Sequence, residues 1–357
     1  MWKKFTAIVV SSLCIATSNV SYAQGHIVPC TNLTNVELNK LENVYISGDI
    51  RVFYTTTAPA SGLDHRLPTQ SQVDNNANGI PDYVENIATQ ANSARRAYNL
   101  LGFRDPLLSP KFRAAEYIDI NILNMAGNGL AYDSPVSYTS APNRGTSCTL
   151  RIDISALLEN QTVGSPPLQS EFTKHWFVAA HEMFHLYQYG QTLFKRSWVA
   201  EPTARLAEYA LRLSAHYPLG TPTYQLPSTA ADFNTQVIAN PNGADANRFW
   251  SRIAVLLEGE HDTIRLPASL MSTTYTDGQL VFKDNKFTGF AFIAAALNSL
   301  GAKDAVVSSV NSRNPYDWAE ADQTSTTNDP YILDALQETI RATGTANAEI
   351  NAFLAIP

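Results

Sequence analysis

The run His181-Glu182-Met183-Phe184-His185 sets two imidazoles four residues apart, with a carboxylate beside the first. Residues four apart on a helix share a face, so both rings can bind one ion, and Glu182 then lies next to it. A zinc ion held there lowers the pKa of its water toward neutrality and polarises a carbonyl, while an adjacent carboxylate accepts the water's proton. The expected roles are zinc ligands for His181 and His185 and catalytic base for Glu182. The competing reading is a chance match in which two histidines fill hydrogen-bonding niches. The apolar character of the surrounding helix favours the metal, because an unpartnered polar group costs roughly 2 to 7 kcal/mol to bury.

A catalytic zinc takes three protein ligands and keeps one open position. The expected third ligand is Glu201, in Trp198-Val199-Ala200-Glu201-Pro202, close enough in sequence to fold back on the histidines. Glu208 and His216 are the substitutes. Glu201 with Arg205, and Glu208 with Arg212, equally form acid-to-base pairs at i and i+4, the pattern of a solvated helix face. A second constellation suits a hard cation: Asp74, Asn76, Asn78, Gly79, Asp82 and Glu85 occupy positions one, three, five, six, nine and twelve of a calcium loop, with the Ile80 carbonyl at seven. The alternative there is a polar Asn-Gly turn. The calcium would stabilise the fold rather than catalyse.

The elements that position these residues read as an α+β chain. Pro166 and Pro167 open a helix that runs to Tyr189 and stops at Gly190. Phe172, Trp176, Ala179 and Met183 stripe one side, and Phe177, Val178 and Phe184 cover much of the rest, as in a central buried helix. The next helix runs from about Pro202 to His216. Upstream, residues 43–57 are rich in β-formers, Asp82 to Leu101 has helical spacing, and Tyr117–Leu123 and Leu150–Ile154 read as strands. Asn128 and Gly129 mark a turn between those two strands. Leu130 to Tyr132 is a candidate strand for aligning a substrate backbone. Pro218, Gly220, Pro222 and Pro227 divide a first part, 24–217, from a mainly helical second part, 218–357. In the second part the clearest features are a hairpin at Asp277-Gly278 and helices over Phe290–Leu300, ending at Gly301, and Ile332–Ala342, ending near Gly344.

Lys3 and Lys4, the apolar run from Phe5 to about Ala16, and Ser21-Tyr22-Ala23 form a secretory leader, residues 1–23, cleaved after Ala23. The run is short of the ~20 residues that span a bilayer, and no later stretch qualifies, so stable membrane insertion is not expected. The leader carries off Cys14, leaving Cys30 and Cys148 either to pair in an oxidising compartment or to stay as buried thiols; pairing is the favoured outcome. The destination is secreted or periplasmic. Without Lys3 and Lys4 the chain has 23 basic against 32 acidic residues. That balance excludes a basic nucleic-acid footprint.

Taken together, these segments resemble a group of secreted bacterial HExxH proteins classed as gluzincin-type zinc metallopeptidases. The group has a strand ending in Tyr-Thr-Thr, an Asn-Gly-x-Pro-Asp-Tyr segment opening a helix, HExxHxxQ, and a tryptophan three residues before a zinc-ligating glutamate. Here stand Tyr54-Thr55-Thr56, Asn78-Gly79-Ile80-Pro81-Asp82-Tyr83, His181 through Gln188, and Trp198 with Glu201. The resemblance covers about Val52 to Glu208 and implies a zincin-like sheet with a central HExxH helix, Glu201 as third ligand, and hydrolysis of peptide or protein substrates. Pro202 replaces the group's usual Gly, Phe53 stands where His is common, and the gluzincin Asn-Glu-x-x-Ser-Asp segment is missing, with Arg205 at its aspartate. Tyr187, Arg205, Tyr209, His216 and His261 are candidates to stabilise an oxyanion. Two other functions fit the same residues: a non-catalytic extracellular binding protein on a zincin-like fold, and a zinc hydrolase acting on something other than peptides.

Overall fold

The computed structural model describes residues 29–138, 143–158, 178–212, 224–258 and 265–357. The leader, with Cys14, and His216 and His261 lie outside these residues, as do Pro166, Phe172 and Trp176. Among the described residues, seven strands form one mixed sheet: β1 (Thr31–Asn32), β2 (Asn43–Ser47), β3 (Ile50–Tyr54), β4 (Tyr117–Leu123), β5 (Gly129–Ala131), β6 (Val136–Ser137) and β7 (Thr149–Ser155). Their order is β1-β6-β7-β4-β3-β2, and β5 also pairs with β7. β3, β4 and β7 run parallel, β2 joins β3 antiparallel, and β5 and β6 join β7 antiparallel. A parallel β3–β4 pair needs a long crossover, and helix α1 (Asp82–Leu100) supplies it.

Strand alternation separates two faces. Ile50, Val52, Ile118, Ile120, Ile122, Leu150, Ile152 and Ile154 join the main hydrophobic core, to which the helices also contribute. The opposite face carries Arg51, Asp119, Asn121, Arg151 and Asp153, and these too are buried. Arg51 grips Asp119 through two hydrogen bonds of 2.7 and 2.9 Å, and Asp153 accepts from Asn121 at 2.8 Å and from Tyr132 at 2.9 Å. Above this face a smaller apolar cluster contains Leu38, Leu41, Phe53, Leu123, Val136 and Tyr138. The segment bearing Leu38 and Leu41 is tied down by the disulfide Cys30–Cys148. The bond agrees with an oxidising environment.

On the apolar face, α2 (Val178–Gln191) packs against α1: Tyr98 donates to the Ala180 carbonyl at 3.1 Å, and its ring meets Phe184 edge-on at 5.1 Å. α2 runs one residue past Gly190. α3 spans Ser197–Arg212, beginning five residues before the proline expected to open it. Pro202 has no N–H for the Trp198 carbonyl, and the indole N–H of Trp250 donates there instead at 2.9 Å. Trp250 belongs to α4 (Ala244–Glu258), followed by α5 (Phe290–Val310) and α6 (Asp329–Ala342).

Gly301 does not end its helix, since α5 continues to Val310. A Cβ at Gly301 would stand 2.4 Å from the Gln191 carbonyl oxygen. That glycine therefore lets two helices approach rather than terminating one. Contrary to the sequence reading, α5 is long and apolar enough to cross a membrane, although half of that apolar window is buried inside the protein. Arg196 pairs with Asp329 at 2.7 and 2.9 Å, and Trp198 donates to the same carboxylate at 2.8 Å, joining the start of α3 to α6. Asp277-Gly278 does form a tight reversal, closed by the Thr274–Leu280 bridge.

Candidate metal centre

His181 and His185 project from α2 one turn apart, and Glu201 faces them from α3. One ligand atom from each residue falls within 4.8 Å of the others. The two Nε2 atoms are 3.2 Å apart, and each stands 3.6 Å from an oxygen of Glu201. Tetrahedral coordination at 2.0–2.2 Å places neighbouring ligand atoms about 3.4 Å apart, so these three residues could hold a metal ion.

The far nitrogens of both rings are engaged. Gln188 donates its amide to the Ala200 carbonyl at 2.9 Å and to Thr203 Oγ1 at 2.6 Å. Its carbonyl oxygen is therefore the atom 2.7 Å from His185 Nδ1, so that nitrogen carries the proton. His181 Nδ1 likewise lies 3.0 Å from a carboxylate oxygen of Glu208. Both Nε2 atoms therefore face Glu201, with the lone pair on His185 and, because its carboxylate neighbours keep His181 protonated at neutral pH, an N–H on His181. Tyr189 lies flat against His185, with ring centroids 5.7 Å apart and an 8° interplanar angle.

The surroundings displace the four titrating groups differently. Burial opposes charge on His181, but the Glu201 and Glu208 carboxylates outweigh it and raise its pKa to about 10. Burial and the neighbouring His181 lower His185 to about 4. His181 holds Glu201 down to about 2. Burial lifts Glu182 to about 7, which suits a group that takes up and returns protons near neutrality.

Glu182 is held from above by β5. The register opposes Gly129 to Ile154, Leu130 to Asp153 and Ala131 to Ile152, while Tyr132 donates to the Arg151 carbonyl at 3.0 Å and Ser155 to that of Asn128 at 2.9 Å. Antiparallel alternation commits the polar groups of Leu130 to β7 and turns those of Gly129 and Ala131 the other way. The Ala131 N–H reaches the Glu182 carboxylate. A Cβ on Gly129 would stand 2.6 Å from both Cγ and Oε1 of Glu182.

Glu201 thus stands with the two histidines, and Glu208 takes the outer position on His181. Tyr187 is removed from the oxyanion candidates, because its hydroxyl donates to Asn99 Oδ1 at 2.6 Å and to the Arg95 carbonyl at 2.9 Å on α1. Three contributors went unassigned by sequence reasoning: Gln188 as partner of His185, Tyr189 as its stacking surface, and Gly129 as the wall against Glu182. Helical spacing from His185 was available for the first two; the third depends on a long-range contact. No protein family, curated protein or solved structure matches this chain.

Proposed function

We propose that the protein is an exported zinc metallopeptidase, with His181, His185 and Glu201 holding the metal and Glu182 acting as the base. The observation that carries this reading is the convergence of two Nε2 atoms and a carboxylate at tetrahedral-edge separations, with both outer ring nitrogens tied off. Such outer partners fix the tautomer and raise the basicity of the ligating nitrogen. When bound, zinc supplies Lewis acidity and acidifies a water molecule. Glu182 accepts the proton released at the reacting centre and returns it to the leaving amine.

The class of substrate follows from β5. Among the described residues β5 pairs only with β7, so its other edge offers the outward carbonyls of Gly129 and Ala131 beside Glu182. An extended peptide adds to such an edge through main-chain hydrogen bonds. The disulfide, together with the leader expected from the sequence, supports work on peptides or proteins outside the cytoplasm. The test is metal content of the purified protein by mass spectrometry beside His185→Ala and Glu182→Gln, with casein cleavage in all three. One zinc and cleavage in the native protein, both lost in His185→Ala, and cleavage alone lost in Glu182→Gln, are expected. Native protein without zinc, or undiminished cleavage by Glu182→Gln, would overturn the proposal.

A further inference from the structure

We propose that residues 74–85 bind one calcium ion, which clamps the start of α1; this assignment stands independently of the zinc site. The Asp74 carboxylate accepts from the N–H groups of Asn78 at 3.2 Å and Gly79 at 2.8 Å, curling the loop around itself. Across the turn, Glu85 receives the side-chain amides of Asn76 at 3.0 Å and Asn78 at 2.9 Å, one on each oxygen. The Oδ1 atoms of these amides accept from the N–H groups of Asn78 at 3.0 Å and Ile80 at 2.8 Å, so a cation held against Glu85 must draw both amides away from those donors to gain their oxygens.

The independent observation is Asp82. It is only 9% exposed, and its carboxylate folds back under the loop, where Oδ2 accepts from Asn75. The other oxygen, Oδ1, is enclosed without a hydrogen-bond donor. Leaving a buried carboxylate oxygen unmatched is costly, and a hard cation supplies the missing partner. Among the described residues no Lys or Arg forms an ion pair with Asp74, Asp82 or Glu85. Carboxylate and amide oxygens with a main-chain carbonyl at position seven suit the larger, more flexible shell of calcium over magnesium.

The clamp is contiguous with the candidate active site. Tyr83, next to Asp82, donates to the Ser155 carbonyl at 2.6 Å, and Ser155 donates to Asn128, the residue before Gly129. Metal-stripped full-length mature protein should be titrated with calcium alone, by calorimetry and by thermal melting, beside Glu85→Gln, Asp82→Asn and Asn78→Asp. One saturable calcium per chain and a higher Tm are expected. Glu85→Gln and Asp82→Asn should each weaken binding about tenfold or more, and Asn78→Asp, which adds a charged ligand, should tighten it. The gain in Asn78→Asp guards against mistaking a folding defect for a lost site. No heat and no Tm change at millimolar calcium, or unchanged affinity in all three variants, would overturn the assignment.

Discussion

Replacing Gly129 by alanine tests the placement of Glu182 without touching a ligand or an ionisable group. The added Cβ would stand 2.6 Å from Cγ and Oε1 and 2.8 Å from Cδ of Glu182, where ordinary contact begins at 3.4 Å. Gly129 lies outside the left-handed region, so alanine is compatible with its backbone and the strand need not yield. The flexible carboxylate arm must retreat by about 0.8 Å or more, losing its alignment with the Ala131 N–H. A displacement of about 1 Å in a catalytic group costs about a hundredfold in rate, equivalent to about 2.7 kcal/mol of transition-state stabilisation. The assay is turnover of a quenched peptide by the zinc-loaded protein, with metal content and Tm measured on the same preparation. The expected result is about a hundredfold loss in kcat with zinc retained and Tm little changed. Adding Gly129→Ala to Glu182→Gln should cause no further loss, because both remove the same function. Activity within twofold of native, or loss of zinc from Gly129→Ala, would refute the reasoning.

Gln188→Leu removes the acceptor that fixes His185 as its Nδ1–H tautomer; zinc affinity, read by competition with a chelating dye, should fall about 10- to 100-fold. An unchanged affinity would show that His185 needs no such partner. Asp304 offers a test of pH-dependent stability away from the metal. Burial raises its carboxyl to about 7 from an ordinary 3.8, against the lowering effect of donors from Leu193 and Thr192. Between those values the folded protein keeps a proton that the unfolded chain has released. This contribution is therefore full below about pH 4 and is lost as pH rises through about 7, with a ceiling of about 4 kcal/mol at 1.36 kcal/mol per unit. Asp304→Asn should show a smaller drop in Tm between pH 5 and pH 8 than the native protein; parallel drops would place the native pKa near its ordinary value.

The sequence disclosed what is local. Spacing located α1 to within one residue, β4 at its observed limits, and the helical face shared by His181 and His185. It misled where a distant segment changes a residue's meaning. Gly301 resembles a helix stop, and only the approach of Gln191 explains a glycine inside a continuous helix. Arg51, Asp119 and Asp153 alternate with isoleucines and valine, the pattern of a sheet with one wet face. Both faces are nevertheless buried, because the segment bonded through Cys30 covers the polar one. Gly129 has the composition of a turn but lies in a strand whose place is set by β7 and Glu182.

The same ambiguity affects α3. Glu201 and Glu208, each four residues before an arginine, fit a solvated helix face as well as a metal site. Yet Glu208 has its carboxylate on His181 Nδ1, and Glu201 points at both Nε2 atoms. Pro202 permits this entry because the Trp198 carbonyl it leaves without a helical donor is taken by Trp250. Glu182, Glu201 and Glu208 therefore gather around two imidazoles whose outer nitrogens are already committed. Buried carboxylates demand compensation; protonated His181 supplies it without a metal, and a cation held by both Nε2 atoms and Glu201 would take over that role. Metal binding should accordingly stabilise the native state: if the packing of α3 against α2 were sufficient without it, stripping zinc would leave Tm unchanged.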